Sequence, residues 1–277
     1  LGGHIYAAPD QVGNHLVLCF NRKLVPQAPE TAEEFVALAR KLTRDGVYGF
    51  AMNLTEPYWL VPFLGGFGGW IMDGQANPTL DTPAMAQALA FVKGLRDQKV
   101  LPQECDYQIA ETLFKEGKAA MIVNGPWSWS GYRKAGVDLG IAPLFRMPGG
   151  AWAQPMVASK GYSISVNVPA EKLPLVVELV EFLTSPEAEL RSVRELAILP
   201  SHRDAYGDSS LVRDPYLKVS LEAIARGRRM PVVPEMRVIW DAMRPEMQNV
   251  MNGVKTPAEA ARAMQAAAVA QIAAMKK

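Results

Sequence analysis

The chain has 277 residues, enough for two ordinary domains or one large one. Apolar residues make up 49% and charged residues 21%, the balance of a globular protein with a sizeable core. A net charge of +1 gives no electrostatic case for nucleic acid or an anionic membrane surface as partner, and no apolar run reaches membrane-spanning length.

Leu1-Gly2-Gly3-His4 has neither the charged start nor the apolar stretch of a signal peptide, so the start is expected to be processed or truncated. Residues 5–8 predict a short strand and 15–20 a second one. Cys19 lies in the second, where a buried free thiol is the simple reading. Cys105 is far away and neither cysteine sits in a CxxC, so no metal site or redox pair is expected, while a disulfide between the two in an exported protein stays open. Thr31 and Glu34 form a capping box that opens a helix with Phe35, Leu38, Ala39 and Leu42 on its apolar face, stopped by Gly46. A strand is predicted over 48–54. The glycine-rich stretch 63–70 lacks the context of a phosphate loop and reads as a helix end and turn. Thr82-Pro83 opens the next helix, with Met85, Leu89 and Val92 on its buried side.

Residues 107–116 predict a helix, 119–123 a strand, and 161–166 a further strand. Helices follow over 173–183, 186–195, 215–225, 234–251 and from Thr256-Pro257 to the alanine-rich end. The cluster Arg226, Arg228, Arg229 reads as a solvated helix end. Strands alternating with helices predict an α/β fold with a largely parallel sheet.

For chemistry, the sequence first shows absences. His4, His15 and His202 share no metal-ligand spacing, and GxSxG, HExxH and P-loop patterns are missing. A hydrolytic carboxylate pair, assembled in space, stays open. No cofactor or metal is expected. What is present is two aromatic and polar clusters placed after strands, Thr55-Glu56-Pro57-Tyr58-Trp59 and Asn124-Gly125-Pro126-Trp127-Ser128-Trp129. Open α/β sheets bind ligands beyond the carboxyl ends of their strands, so two such loops predict one ligand surface. A sugar ring has an apolar C–H face and a hydroxyl rim, which suits an aromatic platform beside a carboxylate such as Glu56. Taken singly, Trp59, Trp70, Trp129 and Trp152 each read as packing. Trp240 falls in the apolar stripe Met236, Ile239, Trp240, Met243, Met247, Val250, and Arg244 four residues on shares its face; periodicity alone assigns both to packing.

At these residues the chain resembles the maltose/maltodextrin-binding proteins of bacterial ABC importers. The stretches that carry the resemblance are Asn53-Leu54-Thr55-Glu56-Pro57-Tyr58, Asp106-Tyr107-Gln108-Ile109-Ala110-Glu111, Ala120 through Ser130, and Met230-Pro231 through Arg244. The resemblance implies a periplasmic-binding-protein type fold with two α/β lobes, hinge-crossing strands, and a sugar in the cleft between them. By the same resemblance Glu56 and Tyr58 bond and stack on the sugar, Trp127 is the main platform and Trp240 a second. Tyr107 and Arg244 lie near the longer end of the ligand and at the cleft margin. Asn14 stands where the family commonly has a ligand-contacting glutamate, and Trp59 replaces a smaller aromatic and is expected to lengthen the platform.

By correspondence, 17–158 and 214–277 form an intact C-terminal lobe, and 1–12 with 159–213 form the remainder of an incomplete N-terminal lobe. That remainder is expected to expose an apolar face, covered by a dimer partner or a complementing N-terminal segment, or left bare by truncation. The implied protein is a periplasmic or lipid-anchored extracellular binder, not an enzyme, that presents a malto-oligosaccharide to ABC importer membrane subunits. The alternatives are a fold-completing fragment or dimer with weak sugar binding, and a glycoside-active enzyme using Glu56.

Overall fold

The structure is a computed structural model that describes residues 5–196 and 198–275. Its strands form two four-stranded sheets. In the first sheet, β1 (Ala8–Asn14) pairs antiparallel with β6 (Met156–Tyr162) and with the short β7 (Leu199–Pro200), and β6 pairs parallel with β8 (Arg228–Arg229). In the second, β2 (Val17–Asn21) lies between β4 (Ala119–Asn124) and β5 (Leu139–Ala142), and β3 (Tyr48–Ala51) flanks β4.

The expected largely parallel sheet is not what forms. β3 runs parallel to β4, and β2 is antiparallel to both β4 and β5, so β3, β4 and β5 all run one way. Helical crossovers join those three strands, as parallel strands require. β2 runs against them and inserts between two of them, which makes most of the second sheet's pairings antiparallel. Nothing local in Val17–Asn21 encodes that insertion.

The expected strand at 5–8 is also shifted. β1 starts at Ala8, where pairing with Tyr162 begins, and Ile5 before it is 93% exposed. The strand expected at 161–166 is correspondingly seen at Met156–Tyr162, where its ladder with β1 ends at the Ala8–Tyr162 pair. β1 and β2 are separated only by His15 and Leu16, so the chain passes from one sheet to the other at that point. Gly13 makes the turn possible with φ +91, and a Cβ there would strike His15 and Ile224.

Helix α1 (Ala32–Leu42) has the capping box, with Thr31 accepting from the Glu34 amide and Glu34 reaching back to the Thr31 amide. Its Phe35 stacks on Phe145 at 4.3 Å and meets Phe50 of β3 edge-on at 4.9 Å. The short α2 (Val61–Gly66) is wholly buried; α3 (Pro83–Asp97) is capped by Thr82, and α4 (Tyr107–Lys115) by Asp106. Residues from 126 onward, expected as a loop, form α5 (Pro126–Lys134), because Pro126 suits a first helical position. After β6 come α6 (Leu173–Leu183), α7 (Pro186–Leu196), α8 (Ser209–Arg213) and α9 (Pro215–Arg226), then α10 (Glu235–Met251) and α11 (Pro257–Met275).

The main core joins the second sheet to α1, α3, α10 and α11; every residue of β4 is buried, as are Met236, Ile239, Met243, Met247 and Val250 of α10. A separate small core gathers Val193, Leu199, Ala205, Leu211 and Leu217. α6 buries nothing: Leu175, Leu179 and Phe182 are exposed, as are Ile164 and Val166 in the segment before it. Among the described residues no helix is long and apolar enough to cross a membrane.

Arg226 ends α9 as expected, but the cluster does more than cap it. Arg226 lies 3.5 Å from the ring centre of Trp152, and Arg228 sits 4.6 Å over Trp70. Cys19 and Cys105 are free and buried, and burial raises both thiols, Cys105 to about 11.

Candidate functional site

Strand β3 leads through Met52 and the buried Asn53, whose side-chain oxygen accepts from both the amide and the hydroxyl of Thr55. The chain then enters a single 3-10 turn, Pro57–Trp59. Its two aromatic residues part company. The Tyr58 hydroxyl donates to the Asn14 backbone carbonyl at 2.8 Å, tying this turn to the end of β1. Burial pushes the Tyr58 phenol above its ordinary range, so it stays a donor at neutral pH.

Trp59 points inward. Its Nε1 donates to the Val123 carbonyl at 2.9 Å, and its ring meets Tyr58 and Tyr107 edge-on. It is 9% exposed, so it does not present the extra ring surface expected of it.

The second cluster behaves differently. Trp127, in the first turn of α5, is 38% exposed and donates through Nε1 to the Tyr107 hydroxyl at 3.1 Å. Its ring covers Gly125, where a Cβ would fall inside the indole. Trp129, two residues on, is fully buried and packs against Tyr216. Tyr107 occupies the first position of α4; desolvation, then the nearby Glu111 charge, raises its phenol.

Behind this surface lies a polar cluster that sequence reasoning did not single out. Asn124 donates to Glu111 and to the Tyr132 hydroxyl, both at 2.7 Å, and Tyr132 donates to Glu111 in turn. The sequence signal was a carboxylate one turn after Tyr107 on a helix whose other inward positions, Ala110 and Phe114, are apolar.

Helix α10 brings the remaining residues. The Arg244 Nε–H spans both oxygens of Glu56 at 2.9 and 3.1 Å, and its other arm reaches Asp241 at 2.7 Å. Gln248 donates to the Leu54 carbonyl at 2.9 Å and fastens the helix to the end of the same strand segment. Trp240 is half-buried against the main core, so the packing expected from periodicity holds for part of the ring.

The structure thus links Asn14, Tyr58, Trp59, Tyr107 and Trp127 by direct contacts, and Glu56 to Arg244 by an ion pair. Asn14 and Trp127 also line one groove, together with Gln11 and Lys160, which sequence reasoning did not propose as site residues. The arrangement offers flat apolar faces bordered by hydroxyl, amide, carboxylate and guanidinium groups. Among the described residues no group of three or more His, Cys, Asp or Glu could hold a metal ion.

Comparison with known proteins adds the lineage. The family model for bacterial extracellular solute-binding protein matches residues 1–219. The solved maltose/maltodextrin-binding domain MalE from Bdellovibrio bacteriovorus, bound to maltotriose, is 37% identical. The match covers 96% of this chain and 73% of that one, with a TM-score of 0.93, so the two share one fold. A galactooligosaccharide-binding protein of Bacillus subtilis is 25% identical over 92% of this chain and 63% of its own length. A maltotriose-binding protein of Pyrococcus abyssi is also 25% identical, over 91% of this chain and 56% of its own length. The chain spans about three fifths of the length of these curated relatives.

Proposed function

The chain belongs to the bacterial extracellular solute-binding proteins, and on that premise we propose that it binds a malto-oligosaccharide, without chemistry, for delivery to an ABC importer. The observation that carries this reading is the hydrogen-bonded aromatic surface of Tyr58, Tyr107 and Trp127, open to solvent at Trp127 and bordered by Asn14. In this reading Trp127, Tyr58 and Trp240 stack on sugar faces, while Glu56, Arg244, Tyr107 and Asn14 meet the hydroxyl rim. Trp59 supports them from behind. The likeness to a maltotriose-bound domain favours α-linked glucose units; the galactooligosaccharide-binding relative makes galactosides the natural competitors. The protein works outside the cytoplasmic membrane, in the periplasm or on a lipid anchor.

We propose the lobe division stated above, 17–158 with 214–277 against 1–12 with 159–213; the main core, which apart from Leu16 is drawn from the first pair of segments, supports it, while the small core reaches across the boundary at Leu217. A titration of tryptophan fluorescence with maltotriose, maltose and a galactooligosaccharide is expected to shift and saturate with maltotriose, with no release of reducing ends on long incubation. Flat titrations with all three reject the reading.

A second reading, a fragment or dimer whose fold is completed by another chain, draws on the uncovered face of α6 at Leu175, Leu179 and Phe182. Light scattering tests it: a monomer across the micromolar range removes the dimer.

A further inference from the structure

We infer that Glu111 is a positioning residue for the Trp127 platform, acting through Asn124; the effect on sugar affinity rests on the reading proposed above. A carboxylate this deeply buried, 5% exposed, must be paired and hydrogen-bonded to be tolerated. Glu111 is both: Oε1 accepts from the Asn124 amide and the Tyr132 hydroxyl, and Oε2 meets the Lys115 ammonium. The Asn124 amide is oriented by these bonds. With its nitrogen turned to Glu111, its Oδ1 is left to accept the Gly125 backbone N–H at 2.9 Å.

That last bond sets how the chain leaves β4. Gly125 is the N-cap of α5, and Trp127 lies on the turn that follows, its ring against Gly125. The outer edge of the same ring is held by Tyr107, four residues before Glu111 and so on the same face of α4. One helix therefore grips the platform twice, at the ring through Tyr107 and at the backbone through Glu111 and Asn124. An apolar cluster of the same shape would stabilise the fold about as well. The polar one adds a direction, which a stacking surface needs and a core does not.

The test separates orientation from bulk packing. Glu111→Gln keeps the oxygen that Asn124 and Tyr132 use, and turns an NH2 donor toward Lys115, whose side chain is 36% exposed and can swing to water. In the 277-residue chain it is expected to leave the Trp127 indole N–H resonance, identified by its loss in Trp127→Phe, in place. Maltotriose affinity is expected to stay within about twofold, since the surviving pair partner Lys115 is partly solvated. Glu111→Leu removes the acceptor; the Trp127 resonance is expected to shift or broaden and maltotriose Kd to rise about tenfold, with a cooperative melt retained. Should Glu111→Leu fail to fold, Asn124→Ala cuts the same link from its other end and is read the same way. An unmoved Trp127 resonance in the variant without the link overturns the inference, as does Glu111→Gln proving as damaging as Glu111→Leu. Absence of maltotriose binding in the unmodified chain, with the resonances moving as stated, leaves positioning standing and rejects the sugar reading instead.

Discussion

Replacing Trp127 by alanine is the sharpest perturbation of the proposed platform. The residue is 38% exposed, and a full indole side chain presents up to about 250 Å². Roughly 90 Å² is therefore open for a sugar face to cover, and at about 25 cal/mol per Å² complete coverage is worth ~2 kcal/mol. Sugar hydroxyls reduce the apolar share of that contact, so the expected loss is about 1–2 kcal/mol, or a five- to thirtyfold rise in Kd. Stability should fall too, because the covered remainder of the ring, roughly 160 Å², is worth up to ~4 kcal/mol by the same coefficient, although the Tyr107 hydroxyl is freed to water and not stranded. Titration calorimetry with maltotriose measures the first quantity and urea unfolding the second. Trp127→Phe, which keeps a flat ring but not the Nε1 donor, should fall between. A Kd within twofold of the unmodified chain for Trp127→Ala would refute the assignment of Trp127 as platform, and with it the arithmetic.

Three further perturbations probe the site and its frame. Gly125→Ala places a methyl where the indole lies, although the backbone at φ -110 and ψ 178 accepts alanine; sugar affinity should fall about as far as in Trp127→Ala, and the thermal midpoint with it, because the displaced ring gives up its covered contacts. Arg244→Met breaks the pair with Glu56, but with side chains 40% and 41% exposed the cost should be at most ~1 kcal/mol and shrink in 1 M salt, as urea melts at two salt concentrations will register. His15, buried where the chain passes between the sheets, has its imidazole lowered to about 4 by desolvation, with the Gly13 carbonyl pulling weakly the other way. Its folded value lies below the unfolded one of about 6.5, so between those values the unfolded chain binds the extra proton. Stability should be level with respect to this group above pH ~6.5 and fall as pH drops toward ~4, by about 3 kcal/mol in all. Urea unfolding at pH 7, 5.5 and 4.5 should show that slope in the unmodified chain and a flatter one in His15→Leu; equal slopes would remove His15 as its source.

Much of the fold was legible because its signals are local. The Thr31–Glu34 box, Thr82-Pro83 and the stripe from Met236 to Val250 each rest on residues within a turn or two of one another, and the helices they announce are present. β2 was legible as a strand but not as one running against its neighbours, since direction in a sheet is decided by which strands flank it. The site divides along the same line. That Tyr58, Trp59, Trp127 and Trp129 follow strands could be read from the sequence; which of them face outward could not. Trp59 turns in because a carbonyl of β4 accepts its indole N–H, and Trp127 stays out because a hydroxyl on α4 does. The partners lie 64 and 20 residues away in the chain. Glu56 meets Arg244 across 188 residues. In each case the side chain's role is set by where a donor finds its acceptor, and that acceptor sits on a different element. An exposed and a buried tryptophan can therefore share the same local sequence context, and what parts them is packing against elements far along the chain.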